Sequence, residues 1–305
     1  MVPVTPQGQA VSSLFNLALW LSLGVFLLVA GVLAYVVLRF RARVEADDEP
    51  AQVEGNRRVE VIWTVTPLVL IAVLFALAVR TLDTLGAASP SPLRIRVVGH
   101  QWWWEYEYPD LGVRSANELR VPTGTPLQLE ITSADVIHSY DVRAFGWKSD
   151  AIPGKVNLIR LEVAKAGRYD GDCTEYCGAQ HAWMRVDMLA EPREQFDGWV
   201  LGQLAPAAEP SDAAARRGKA VFLGSTCVNC HTVRGVGPQP RVGPELTHLG
   251  SRPTIGAGIR PNTRADLRDW LRDVQAVKPG ALMPSYADLA ETDLDALAAY
   301  LESLK

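Results

Sequence analysis

The chain has 305 residues, with 30 Lys and Arg against 34 Asp and Glu and a net charge of −4. That length accommodates two domains and more, and the charge balance supplies no basic field for nucleic acid. Its four cysteines fall in two pairs, Cys173/Cys177 and Cys227/Cys230. A disulfide-stapled scaffold would carry more in a shorter chain; two pairs, each with a histidine close behind, read as two cofactor sites.

No Asp, Glu, Lys, Arg or His occurs before Arg39. The run Leu14–Leu38 is long enough, at ~1.5 Å per residue, to cross a ~30 Å hydrocarbon layer. A second run, Val61–Val79, is just long enough and contains Pro67, which a membrane helix tolerates. A secretory signal fits the first run poorly, because no basic residue precedes it and the apolar stretch is too long. The connection holds Arg39, Arg41, Arg43, Arg57 and Arg58, so the positive-inside rule places it in the cytoplasm and everything after Val79 on the outer face. The expectation is a transmembrane hairpin over 1–85, with helices at about 14–38 and 61–82.

From Pro90 to residue 200 the texture changes. "LRIRVVGHQWWWEYEY", "PLQLEITS", "KVNLIRLEV" and "HAWMRVDMLA" are short β-type runs separated by "VPTGTP", "DAIPGK" and "KAGRYDGD". Many short strands with turn signals predict an antiparallel sandwich or barrel. Before the last strand lies "GDCTEYCGAQHAWM", with Cys173, Cys177, His181 and Met184; His138, in "SADVIHSYDV", is the candidate for a further ligand. Zinc uses nitrogen and sulfur donors without methionine, in a spacing this stretch lacks. Two thiols, two imidazoles and a thioether suit copper. Two thiolates can bridge two copper ions, each taking one histidine and one weak axial ligand, Met184 or a backbone carbonyl. A Cys173–Cys177 disulfide is the bland alternative.

These segments resemble cytochrome c oxidase subunit II. "VEVIWTVTP", "VGHQWWWEYEY", "ADVIHS", "DAIPGKVN" and "CTEYCGAQHAWM" follow that family's order. The resemblance implies a cupredoxin-like Greek-key sandwich holding a dinuclear copper A centre. Its ligands would be His138, Cys173, Cys177, His181 and Met184, with Glu175 giving its backbone carbonyl and, through its side chain, binding magnesium at the border with subunit I. Trp102 aligns with the tryptophan credited with electron entry, although three adjacent tryptophans confuse the register. Glu60 resembles the glutamate at the mouth of a proton channel; an ordinary interfacial carboxylate is the alternative. After His138 the sequence departs from the family pattern, with Arg143 where proline is common.

Residues 201–215, "LGQLAPAAEPSDAAA", read as a flexible linker. A second domain over 212–305 opens on a helix capped by Ser211 or Asp212 and reaches "CVNCH". Cys-x-x-Cys-His attaches c-type haem: Cys227 and Cys230 bind the vinyl groups and His231 reaches the iron. By itself the motif is shared with redox dithiols and half zinc sites. A Gly/Pro-rich loop, the helix "TRADLRDWLRDVQ", the extended "KPGALMPSY" and a last helix "ETDLDALAAYLESL" follow, which resembles a small all-α class I cytochrome c. Met283 is the expected second axial ligand, a pairing that raises the haem potential; His248 is its rival.

The reading is therefore a multidomain, caa-type subunit II in the bacterial inner membrane. Its copper A (two Cu) and covalent haem c (one Fe) would pass electrons from a cytochrome c or another membrane donor to haem a of subunit I, beside subunit III, for oxygen reduction and proton pumping. The linker would let the haem domain swing between donor and copper. Two alternatives stay open: a copper-A subunit of a nitric oxide reductase, and a non-catalytic copper-binding assembly protein.

Overall fold

Each apolar run becomes one long helix, because in hydrocarbon every backbone N–H and C=O must be satisfied within the segment. The computed structural model describes residues 3–41, 52, 54–86, 91–146 and 148–305; Arg43 of the basic loop, the domain start at Pro90 and Trp147 lie outside them. The chain divides into two compact units, Gln9–Ala87 and Met1–Gly8 with Ala88–Lys305.

The smaller unit consists of helix α1 (Pro6–Arg39, whose first residues belong to the other unit) and α2 (Arg57–Gly86). Both extend beyond their uncharged stretches. Asn56 starts α2 by accepting hydrogen bonds from the amides of Arg58 (3.1 Å) and Val59 (3.4 Å), the usual N-cap arrangement. Pro67 sits inside the helix without ending it. Trp20, Phe26, Leu28, Ile62 and Phe75 project outward, and none of the most apolar window of either helix is buried. A soluble core helix would hide these groups; a lipid-facing one presents them.

In the larger unit, the β-type runs form ten strands in two sheets. They are β1 (Leu93–His100), β2 (Trp103–Tyr108), β3 (Val113–Ala116), β4 (Glu118–Pro122), β5 (Pro126–Ser133), β6 (His138–Val142), β7 (Lys148–Ala151), β8 (Asn157–Glu162), β9 (Gly167–Cys173) and β10 (Arg185–Glu191). The sheet orders are β3-β2-β1-β5-β8 and β4-β10-β9-β6-β7. Two pairs, β1 with β5 and β4 with β10, are parallel, so the sandwich is not wholly antiparallel as its texture suggests. The chain leaves the first sheet after β3 to make β4 in the second, then returns with β5 beside β1; this Greek-key crossing aligns the two strands. Another difference falls in "HAWMRVDMLA", where His181–Trp183 form a 3-10 turn and the strand begins only at Arg185.

The sheets close on Trp104, Tyr106, Tyr108, Tyr140 and Phe145, all fully buried, each worth ~1.5–3 kcal/mol or more in burial alone. The phenol of Tyr106 meets that of Tyr140 at 3.3 Å, and Tyr108 donates to the Arg120 carbonyl at 2.8 Å, which answers their polar ends. Arg143, the departure noted in sequence, opens a 3-10 turn and forms ion pairs with Asp170 and Asp172.

The stretch read as a flexible linker is helical at both ends. Helix α3 (Arg193–Leu204) runs into it and α4 (Ala213–Gly224) begins within it. Between them the chain is tied down: Ala207 N–H donates to the Arg234 carbonyl (3.3 Å), and Arg234 donates to the Gln203 carbonyl (2.9 Å). Alanine favours helix over coil, which the Ala/Pro composition obscured. Asp212, not Ser211, caps α4, accepting from Ala215 N–H at 2.8 Å.

The second domain adds α5 (the single turn Cys227–Cys230), a small ribbon of β11 (Thr254–Ile255) and β12 (Arg260–Pro261), α6 (Arg264–Arg272), the turn α7 (Val274–Val277) and α8 (Glu291–Ser303). Helices α4 and α8 cross in close contact at Gly218, where a Cβ would strike the Ala296 carbonyl and lie 2.7 Å from Tyr300 Cβ. Gly218→Ala should therefore cost ~1–3 kcal/mol, lowering the calorimetric melting transition of this domain by at least ~4 °C. Gly224→Ala, in the same helix with nothing within 4 Å of the new methyl, should leave it unchanged or slightly raised.

Candidate metal centre

Strand pairing builds the first site. Tyr140 of β6 lies opposite Cys173 of β9, so His138, two residues earlier on the same face, falls beside that cysteine. After β9 the chain turns through 174–184 and re-enters as β10. His181 N–H donates to the Gly178 carbonyl (3.1 Å), and Cys173 N–H to the Met184 carbonyl (3.0 Å). This curl folds His181 and Met184 back over Cys177.

The result is a compact donor set. The two Sγ atoms lie 3.7 Å apart. His138 Nδ1 is 3.9 Å from Cys173 Sγ, and His181 Nδ1 is 3.6 Å from Cys177 Sγ. The Glu175 carbonyl oxygen lies 3.2 Å from Cys173 Sγ, and the Met184 thioether 3.9 Å from Cys177 Sγ. Each sulfur thus has its own imidazole and its own weak donor. The donor atoms of His138, Cys173 and Cys177 all lie within 4.8 Å of one another. The cysteines are free thiols, far beyond the ~2.05 Å of a disulfide. Contact between the sulfurs separates their acidities: the hydrogen bond with Cys177 draws the Cys173 thiol down, and the same contact pushes Cys177 up. A first thiolate forms readily here. The set fits a soft dinuclear metal better than zinc, because Met184 is a wholly buried thioether among the donors.

Asp135, which the sequence reading passed over, fixes His138. Its Oδ1 lies 2.8 Å from His138 Nε2, leaving Nδ1 to face the sulfur. Burial would raise this carboxyl, but bonds from His138 and from the amides of Gln101 (2.7 Å) and Val136 (2.6 Å) outweigh it and hold it below the usual range. Gly99 is required behind the ring, since a Cβ there would lie 2.7 Å from His138 Cδ2. Nothing in the sequence marks Asp135 beyond its place three residues before the histidine.

The three adjacent tryptophans take different positions. Trp104 is in the core, edge-on to His138 with centroids 5.8 Å apart. Trp103 stacks on His100 at 4.2 Å. Trp102 lies on the metal loop and donates its indole N–H to the Cys177 carbonyl at 3.0 Å. The Glu175 side chain is exposed. Glu60 is exposed in the first turn of α2.

In the second domain, Cys227 and Cys230 occupy the turn α5 and His231 follows as its C-terminal residue. His231 Nδ1 lies 2.8 Å from the Pro244 carbonyl; as the donor it leaves Nε2 free for a metal. Burial lowers the pKa of this ring, favouring the neutral form a ligand needs. Gly243 makes room, as a Cβ there would sit 2.6 Å from His231 Cε1. Met283 packs against the apolar cluster that contains Cys227, and its sulfur accepts from Trp270 Nε1 at 3.3 Å. His248 Nε2 instead lies 3.2 Å from the Ala205 carbonyl, turned to the chain between the domains. The thiols, freed imidazole and thioether fit a covalently attached haem.

The description "Cytochrome C oxidase subunit II, transmembrane domain" matches residues 2–83, "Cytochrome C oxidase subunit II, periplasmic domain" residues 111–190, and "Cytochrome c" residues 215–305. Cytochrome c oxidase subunit 2 of Alkalihalophilus pseudofirmus is 35% identical over 309 residues, covering 99% of this chain and 90% of that one. Its counterpart in Bacillus subtilis is 31% identical, covering 89% and 82%. Among solved structures, the periplasmic domain of subunit II of cytochrome oxidase of Bradyrhizobium japonicum is 33% identical over 38% of this chain and 96% of that chain, with a TM-score of 0.37. The matched domains imply copper A and haem c in a membrane protein with periplasmic domains. The chain belongs to the cytochrome c oxidase subunit II family, in the form that carries a cytochrome c domain at its C-terminal end.

Proposed function

We propose that this chain is the electron-transfer subunit of a haem-copper oxidase of the inner membrane, spanning it twice. It would accept electrons from a cytochrome c or another membrane donor at its own haem c, and deliver them through copper A to haem a of subunit I, beside subunit III, where oxygen is reduced and protons are pumped. When bound, two copper ions and one covalent haem iron supply single-electron carriers. The observation that carries the reading is the pair of free thiols 3.7 Å apart, each with its own imidazole.

The residues then divide the work. Cys173, Cys177, His138, His181, Met184 and the Glu175 carbonyl would hold the copper, the thiols as its strong soft donors and the thioether and carbonyl as its weak ones. Asp135 orients His138. Trp104, against His138, and Tyr140, opposite Cys173, are fully buried and exclude water from that side of the site. Cys227 and Cys230 would attach the haem covalently, and His231 and Met283 would be its iron ligands. The exposed Glu175 carboxylate is free to bind magnesium once subunit I covers it. Trp102, bonded to Cys177, is the entry to the copper, and Glu60 the entrance of a proton path. The order of the modules and the donor set favour oxygen over nitric oxide chemistry only through the family relationship, so activity of the assembled complex with each gas separates the two.

Metal and haem analysis of the purified chain should give two copper and one covalent haem per polypeptide; one zinc, or no metal, would overturn the reading. Cys177→Ser should lower copper to one or none while haem content stays at one. Asp135→Asn should weaken copper binding ~10–100-fold in a chelator competition, with the fold intact by circular dichroism.

A further inference from the structure

Within the larger unit the two domains touch, and the contact centres on one lysine. Lys278 belongs to the second domain, at the end of α7, and is 4% exposed. Its ammonium donates to the Trp102 carbonyl (2.7 Å), the Gly256 carbonyl (2.8 Å) and the Trp183 carbonyl (3.4 Å). Gly256 is in its own domain; Trp102 and Trp183 belong to the metal loop's surroundings in the sandwich. Three donors meet three carbonyls, and the enclosure pulls the ammonium down to about 7 through burial.

The next two residues continue the contact. Gln180 Nε2 donates to the Pro279 carbonyl at 2.9 Å. Gly280 lies against the Trp102 ring, where a Cβ would be 3.2 Å from Cη2, and Gly178 of the metal loop lies on the ring as well, where a Cβ would be 3.0 Å from Cζ2. Trp102 is thereby enclosed by both domains and is only 8% exposed. Arg241 adds an ion pair with Glu107 at 2.9 Å, but its exposed side chain makes that contact weak.

We propose that Lys278 latches the haem-attachment domain onto the copper-site domain, so that the face around Trp102 is the docking surface of the chain's own second domain and is closed to a diffusing donor. The last clause rests on the functional reading above; the latch itself does not. The physical reason is asymmetric. With the domains docked, removing the ammonium leaves the buried Trp102 carbonyl without this donor. With the domains apart, water satisfies it. A substitution at Lys278 therefore penalises the docked arrangement, beyond the bond to Gly256 that it costs within the second domain. An outside donor would then have to deliver its electron to the haem-bearing domain, not to the indole.

The test is hydrogen exchange on the full chain carrying its metal and haem, following peptides that span residues 99–103, 178–183 and 276–284. Lys278→Met should speed exchange in all three at least tenfold, whereas Arg241→Ala should change it less than twofold. Equal rates in wild type and Lys278→Met, or equal effects of the two variants, overturn the latch. Should Lys278→Met fail to retain haem, Gln180→Leu replaces it: exchange about threefold faster supports the latch and unchanged exchange overturns it. The readout needs no electron flow. An unlatched chain with two copper and one haem fails this inference alone, and a latched chain without them fails the functional reading alone.

Discussion

The separation of two sulfur atoms governs the architecture. Thiols 3.7 Å apart and unbonded are poor company for each other: the contact draws the pKa of Cys173 down and pushes that of Cys177 up. The fold tolerates this because the loop bearing them is pinned on both sides. Strand β9 fixes Cys173 through its pairing with β6 and β10, and the 3-10 turn after Gln180 fixes Cys177 from the other direction. The histidines come from different elements, one on a strand and one on the turn, and each has a different sulfur as its near neighbour. A preformed soft-donor cage of this kind stores affinity for metal in the fold itself.

The second domain is organised by a comparable local rule. One turn of helix presents two thiols and hands the chain to a histidine whose outer nitrogen is occupied by a carbonyl. In the same domain, two helices close on each other at Gly218, against the Ala296 carbonyl and the Tyr300 side chain. The two sites meet at Trp102. Its indole bonds to the carbonyl of one metal-loop cysteine and its ring lies under Gly280, three residues before Met283.

Much of this was legible in the sequence, for physical reasons that differ by element. The membrane helices announce themselves through uncharged length. The strands are legible because alternation has a short period. The donor residues are legible because a metal loop and a haem-attachment turn are local in sequence, so their spacing survives translation into space. What stayed hidden was non-local or made of backbone. The parallel pairing of β1 with β5 depends on a crossover that no run of residues encodes. Asp135 orients a ligand through one hydrogen bond. Lys278 satisfies itself with carbonyls, which every residue carries, and so leaves no pattern to read. In the linker, alanine and proline suit both a flexible tether and a helix end, and its contacts with Arg234 and His248 are non-local, so composition does not disclose them.

Electron paramagnetic resonance of the oxidised, purified chain examines the shared-sulfur centre most directly. The account predicts a signal in which one unpaired electron is spread equally over two copper nuclei bridged by Cys173 and Cys177. A spectrum from a single isolated copper, or the absence of any copper signal in a chain that has kept its haem, would contradict it.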